Sequence, residues 1–178
     1  MINQEVKGTL AKLLATENLT VEHRKVTTAS FDVVNRVLVL PIWKTASSTV
    51  YDLLVGHEVG HALYTPDTVH DANRGFVNVL EDVRIEKMMK RTYPGLRKSF
   101  FEGYTELNDD DFFGVNDEDL TKIPFIDRIN LWFKGNPNIQ FSDEEQVWVD
   151  RAAKTETFDE VVKLAIDLYG RAEKIEDA

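Results

Sequence analysis

Apolar residues recur along this chain mostly at helical spacing, and two short runs rich in β-branched residues interrupt them early on. Val6, Leu10, Leu13 and Leu14 form a stripe that predicts a helix over residues 3–16. The runs VTTASF (26–31) and RVLVLPI (36–42) predict two strands joined by a turn at Asp32–Asn35. A long helix over about 48–64 follows, with Val50, Leu53, Leu54 and Ala62 apolar. Thr49 and Asp52 would open it as a variant capping box, and Thr65-Pro66 would close it. After a short loop, residues 75–92 predict a second strong helix, with Val77, Leu80, Ile85 and Met88 facing inward. Lys87, Lys90 and Arg91 suit the dipole of its last turn, and Tyr93-Pro94-Gly95 stops it.

The pattern stays helical from residue 96 onward. LRKSFFEGYTEL predicts one helix, and IPFIDRINLWF another with Phe125, Ile129 and Trp132 in the core. Ser142 with Glu145, and Thr157 with Glu160, read as capping boxes opening two more, and the final KIEDA reads as a frayed tail. Between these lies the acidic loop NDDDFFGVNDEDL. It lacks the ligand spacing and closing Glu of a calcium-binding EF-hand, so Phe112 and Phe113 are expected simply to anchor it to the core. The fold expected is α+β and mostly helical: a small β-hairpin beside a long helix, then a C-terminal helical part. Residues 1–178 are expected to form one domain, divided into 1–92 and 93–178.

Composition narrows the function. Hydrophobic and charged fractions of 43% and 29% are those of a globular protein. No apolar run approaches the roughly 20 residues of a membrane span, and the acid-bearing N-terminal stretch does not read as a secretory signal. A cytoplasmic location with no membrane partner is therefore expected. The chain has no cysteine, which excludes disulfides and thiolate ligands. A transition-metal site here must use histidine and carboxylate. The net charge of −10 argues against a nucleic-acid partner and favours a basic partner or peptide.

The chemistry concentrates in VGHEVGHALY, residues 55–64, which holds His57, Glu58 and His61 in the order H-E-x-x-H. Residues four apart on a helix lie about 40° apart around its axis, so both imidazoles project from one face. Such a pair can ligate one Zn²⁺, and Glu58 at the edge of that face can serve a metal-activated water as general base. A catalytic zinc needs a third protein ligand. Asp67 stands where the metzincin pattern places one, but that pattern needs Gly at position 64, where this chain has Tyr64. His70 falls on a loop. Glu81 sits on the next helix, inside the apolar stretch VNVLEDV, where a carboxylate needs a partner or a metal. Glu81 is the expected ligand and Asp82 the alternative.

HEVGH followed by a helix bearing NVLED resembles the gluzincin class of zinc metallopeptidases. TASFDVVNRVLVLPIW, HEVGHALYT and NVLEDVRIE together resemble, more closely, a peptidase-like domain of bacterial and bacteriophage proteins. That domain is associated with von Willebrand A modules and cobalt-chelatase-type subunits. The resemblance covers residues 27–90. It implies a zincin-like fold, with His57, His61 and Glu81 as zinc ligands and Glu58 as general base acting on peptide bonds. It also implies the host cytoplasm for a phage-encoded chain, and a von Willebrand A or AAA-type ATPase partner if the domain is instead a non-proteolytic adaptor.

The thermolysin pattern has an acid four residues after its ligand Glu, supporting a ligand His. Four after Glu81 this chain has Ile85, so Asp82, Glu86 or Asn78 would have to supply that bond. In such peptidases an edge strand beside the metal receives the extended substrate, and RVLVLP, ended by Pro41, is the expected strand. Tyr64, His70, Arg84 and Tyr104 are the candidates for a second electrophile facing the oxyanion.

Overall fold

The computed structural model describes residues 4–43 and 46–176. In chain order these form α1 (Gln4–Ala15), β1 (Thr20–Arg24), β2 (Ser30–Asp32), β3 (Val37–Pro41), α2 (Ser48–Tyr64), α3 (Arg74–Thr92), α4 (Leu96–Asp109), α5 (Phe125–Phe133), α6 (Asp143–Ala153) and α7 (Phe158–Glu176). The protein is α+β and mostly helical, with one three-stranded sheet among the described residues. No helix among them is long and apolar enough to cross a membrane. Two compact units emerge: residues 1–67 with 85–110, and residues 68–84 with 111–178. The division falls within α3, which is a single uninterrupted helix.

In the first unit the sheet order is β1-β3-β2. β1 runs parallel to β3, from Thr20 opposite Val37 to Arg24 opposite Pro41, and β2 runs antiparallel, with Ser30 opposite Val39. This corrects the expectation that RVLVLP is an edge strand for substrate: β3 is central, with both sides paired. β1 was not expected, because TVEHR is mostly polar, and the run 26–31 contributes only Ser30 and Phe31 to β2. The turn between β2 and β3 holds as read. The Asp32 side chain accepts from the backbone N–H groups of Val34 and Asn35, and Arg36 adopts a left-handed φ of 57°. Arg36 then donates to the Ala62 carbonyl at 2.7 Å and to the Glu17 carboxylate, whose pKa that bond holds below the usual value. One guanidinium thereby ties the sheet to the last turns of α2.

α2 has the bounds its pattern predicts, but Ser47 rather than Thr49 caps it, accepting from the Val50 N–H at 3.1 Å. Val50, Tyr51, Leu53, Leu54, Val55, Val59 and Ala62 are buried around most of its circumference. The Tyr51 hydroxyl accepts from the Trp43 N–H at 2.8 Å and donates to the Pro41 carbonyl, fixing the strand's exit to the helix. Against α2 pack Ile85 and Met89 of α3; Met89, not Met88, is the fully buried methionine. That approach is close enough to require glycine. A Cβ on Gly60 would lie 2.8 Å from Ile85 Cδ1 and 3.0 Å from Met89 Cγ. In α1 the buried residues include Ala11 and Ala15, with Leu10 and Leu14 half-buried. The side chains of Val6 and Leu13 lie outside the described residues.

The second unit has its own core: Val77, Leu80, Ile129, Val149, Ala152, Val161, Leu164, Ala165 and Leu168. Trp132 does not belong to it; the indole is 42% exposed and meets Phe141 edge-on at 6.0 Å. Phe112 is likewise exposed and packs edge-on against the half-buried Phe113. The capping box at Ser142 and Glu145 forms as read. Thr157 accepts from the Glu160 N–H at 3.2 Å. The Glu145 carboxylate is also gripped by both terminal nitrogens of Arg128, and this hydrogen bonding pushes its pKa down to about 2.

Two outcomes follow. Gly60→Val forces side-chain branches into Ile85 and Met89 and lowers stability by about 2 kcal/mol or more, read as a lower urea midpoint. An unchanged midpoint would show that the two helices do not meet so closely. Glu145→Gln keeps the cap but loses the ion pair. Because Glu145 has a depressed folded pKa, its contribution is full above the ordinary value of 4.5 and fades as pH falls toward 2. The variant is therefore less stable by on the order of 2–3 kcal/mol at neutral pH, and the gap closes in acid. A gap as large near pH 2 as at neutrality would contradict this.

Candidate metal centre

α2 carries His57 and His61 one turn apart, with ring centroids 5.0 Å apart and ring planes at 74°. Each ring is held at Nδ1. His57 Nδ1 lies 2.7 Å from Glu86 Oε2 on α3, and His61 Nδ1 lies 2.9 Å from Thr65 Oγ1 at the C-cap of α2. Against the Glu86 carboxylate, which only accepts, Nδ1 of His57 carries the hydrogen and Nε2 the lone pair; the Thr65 hydroxyl can donate or accept, so its bond fixes the ring of His61 without selecting the tautomer. The arrangement at His57 is the one a metal-ligating histidine needs, since the outer partner selects the tautomer and fixes the ring.

Asp82 precedes Glu86 by one turn of α3, so the two carboxylates share a face of that helix. His57, His61 and Asp82 each offer a ligand atom, and these atoms lie within 4.8 Å of one another. Two imidazoles and a carboxylate, with no thiolate available, form a donor set suited to zinc. Lys134 Nζ sits 3.0 Å from Asp82 Oδ2 and orients that carboxylate. Glu58, on the same helix as the histidines, is buried.

Glu81, the ligand expected from the sequence, is not part of this group. It is buried against Arg84, which donates to both of its oxygens at 2.6 and 2.8 Å. The physical reason is rotation: one residue along a helix turns a side chain by about 100°, so Glu81 and Asp82 face different surroundings. The acid four residues after Asp82 is Glu86, where the residue four after Glu81 is Ile85.

The other candidates scatter. Arg84 is engaged with Glu81 and with the Glu156 carbonyl at 3.3 Å. The Tyr64 hydroxyl meets Thr92 Oγ1 at 2.7 Å, and the Tyr104 hydroxyl donates to Glu86. His70 packs edge-on to Phe158 at 6.0 Å, while Asp67 and Asn78 are exposed. In the acidic loop Asp111 accepts from the Asn116 N–H, and no metal-capable group forms there among the described residues. Thr65 and Lys134 were not read from the sequence as site residues. Thr65 had a signal, standing four residues after His61 as Glu86 stands four after Asp82. Lys134 had none, since only the tertiary fold brings α5's end to Asp82.

Glu81→Ala removes the carboxylate bonded to two nitrogens of a buried guanidinium, and should cost about 3–5 kcal/mol in urea unfolding. Asp82→Ala, at a half-buried position, should cost clearly less. The reverse order would undo the division of labour between these neighbours.

Compared with known protein families, curated proteins and solved structures, the chain matches none.

Proposed function

We propose that this protein is a zinc-dependent metallopeptidase, with His57, His61 and Asp82 holding the cation and Glu58 acting as general base. The observation that carries the reading is the anchoring of both Nδ1 atoms, one by Glu86 and one by Thr65. Solvated surface histidines have no need of two buttressed rings on one helix face. Asp82 replaces Glu81 in the proposal because it shares the face of Glu86 and falls in the group able to share a cation.

When bound, Zn²⁺ would supply Lewis acidity that acidifies a water and polarises a carbonyl. The chain's own residues would do the rest. Glu58 would take the proton of the attacking water on a carboxylate oxygen and return it to the departing amine nitrogen, which balances the hydrolysis of a peptide bond. Glu86 would keep the His57 imidazole in the ligating tautomer, Thr65 would hold the His61 ring in place, and Lys134 would hold one oxygen of Asp82. Burial of Glu58 would keep its carboxylate from being swamped by bulk water. The gluzincin-like motif points the same way, and the net charge of −10 favours basic peptides as substrates.

The test is metal content and peptide hydrolysis on one set of variants. Wild type should take up about one zinc per chain, and Asp82→Asn should lose it while Glu81→Gln retains it. Glu58→Gln should keep the zinc and lose hydrolysis of a peptide library by on the order of 10²–10⁴-fold. A fully active Glu58→Gln would sink the mechanism. Stoichiometric zinc in a wild type that cleaves nothing would transfer the site to a metal-binding adaptor role.

A further inference from the structure

We infer that Tyr104 is a positioning residue for the metal centre, acting through Glu86 on the His57 imidazole. The inference rests on the metal-binding reading above and goes beyond it, because neither the H-E-x-x-H motif nor its spacing involves α4.

The argument begins with glycines. α2 and α4 approach so closely that a side chain is excluded at Gly103. A Cβ on Gly103 would lie 2.9 Å from Leu53 Cβ, and one on Gly56 would touch Phe100 Cζ at 3.4 Å. Gly56 immediately precedes His57, and Gly103 immediately precedes Tyr104. The close approach therefore sets the phenol beside the histidine's own partner. Tyr104 is 7% exposed and stacks on Phe100 with ring centroids 6.3 Å apart. Its hydroxyl donates to Glu86 Oε2, the same oxygen that meets His57 Nδ1.

That shared oxygen gives the phenol its role. A phenol can only donate to a carboxylate oxygen, so Glu86 stands as acceptor toward both neighbours, and the hydrogen between Glu86 and His57 resides on Nδ1. Nε2 of His57 is left with the lone pair a metal requires. Glu86 is itself 5% exposed, and two donors on one oxygen hold that carboxylate in a single rotamer. Tyr104 was a candidate electrophile in the sequence; the geometry turns its hydroxyl toward Glu86 instead.

Tyr104→Phe removes the hydroxyl alone, since the ring keeps its stacking on Phe100. In the full chain, chelator competition should show zinc bound about ten-fold or more weakly, the range seen when outer partners of ligand histidines are removed. The visible absorption of the Co²⁺-loaded protein should change in position or intensity, which a merely structural loosening at a distance would not produce. Glu86→Gln should weaken zinc binding as well, and adding Tyr104→Phe to it should bring little further loss. Wild-type affinity and an unchanged cobalt spectrum in Tyr104→Phe would overturn the inference and leave the metal site standing. So would an equal loss in both backgrounds, because the phenol would then not act through Glu86. A wild type that binds neither metal would remove the site itself, and the inference with it.

Discussion

Burying α2 is the constraint on which the first unit depends. A helix with apolar residues on nearly every side must be enclosed, yet this one also carries a buried carboxylate, Glu58, and two half-buried imidazoles. Polar groups taken out of water have to be met by other polar groups. The hydrogen bond between His57 and Glu86 is the clearest answer, and the packing is arranged around it. Gly60 lets α3 come near enough to offer Glu86, and Gly103 lets α4 come near enough to offer Tyr104. The two glycines that look like weak points in helices are what allow the polar groups to find one another.

Much of this was legible in the chain. The period of apolar residues placed α2 at its observed bounds, and the H-E-x-x-H spacing placed both imidazoles on one face. The Asp32 turn and the Ser142 cap were legible because each depends on neighbours within a few residues. What the sequence withheld was rotational and long-range. Which of the two acids joins the group of His57 and His61 depends on the rotation of α3 about its own axis, and two adjacent acids in an apolar stretch do not reveal it. The Asp82–Glu86 pair, one turn apart, was the available clue. The central place of β3 was hidden because its parallel partner, β1, is written in mostly polar residues. Trp132 looked like core because its spacing fits α5, but the indole lies at the rim against Phe141.

The buried acids show how neighbouring residues of one helix divide between structure and chemistry. Glu81 and Arg84 satisfy each other within one turn of α3. Asp82 and Glu86, on the next face, are directed toward Lys134 and His57.

The order of the sheet has a consequence for how the protein behaves in a crowded solution. With β3 flanked on both sides, the outer edges of the sheet among the described residues belong to β1 and β2. β2 is three residues long, and β1 presents Glu22, His23 and Arg24 in succession. Short or charged edges make poor templates for another strand. The most apolar strand of the sheet is the one that no neighbouring chain can reach, so the sheet is protected against growing by self-association.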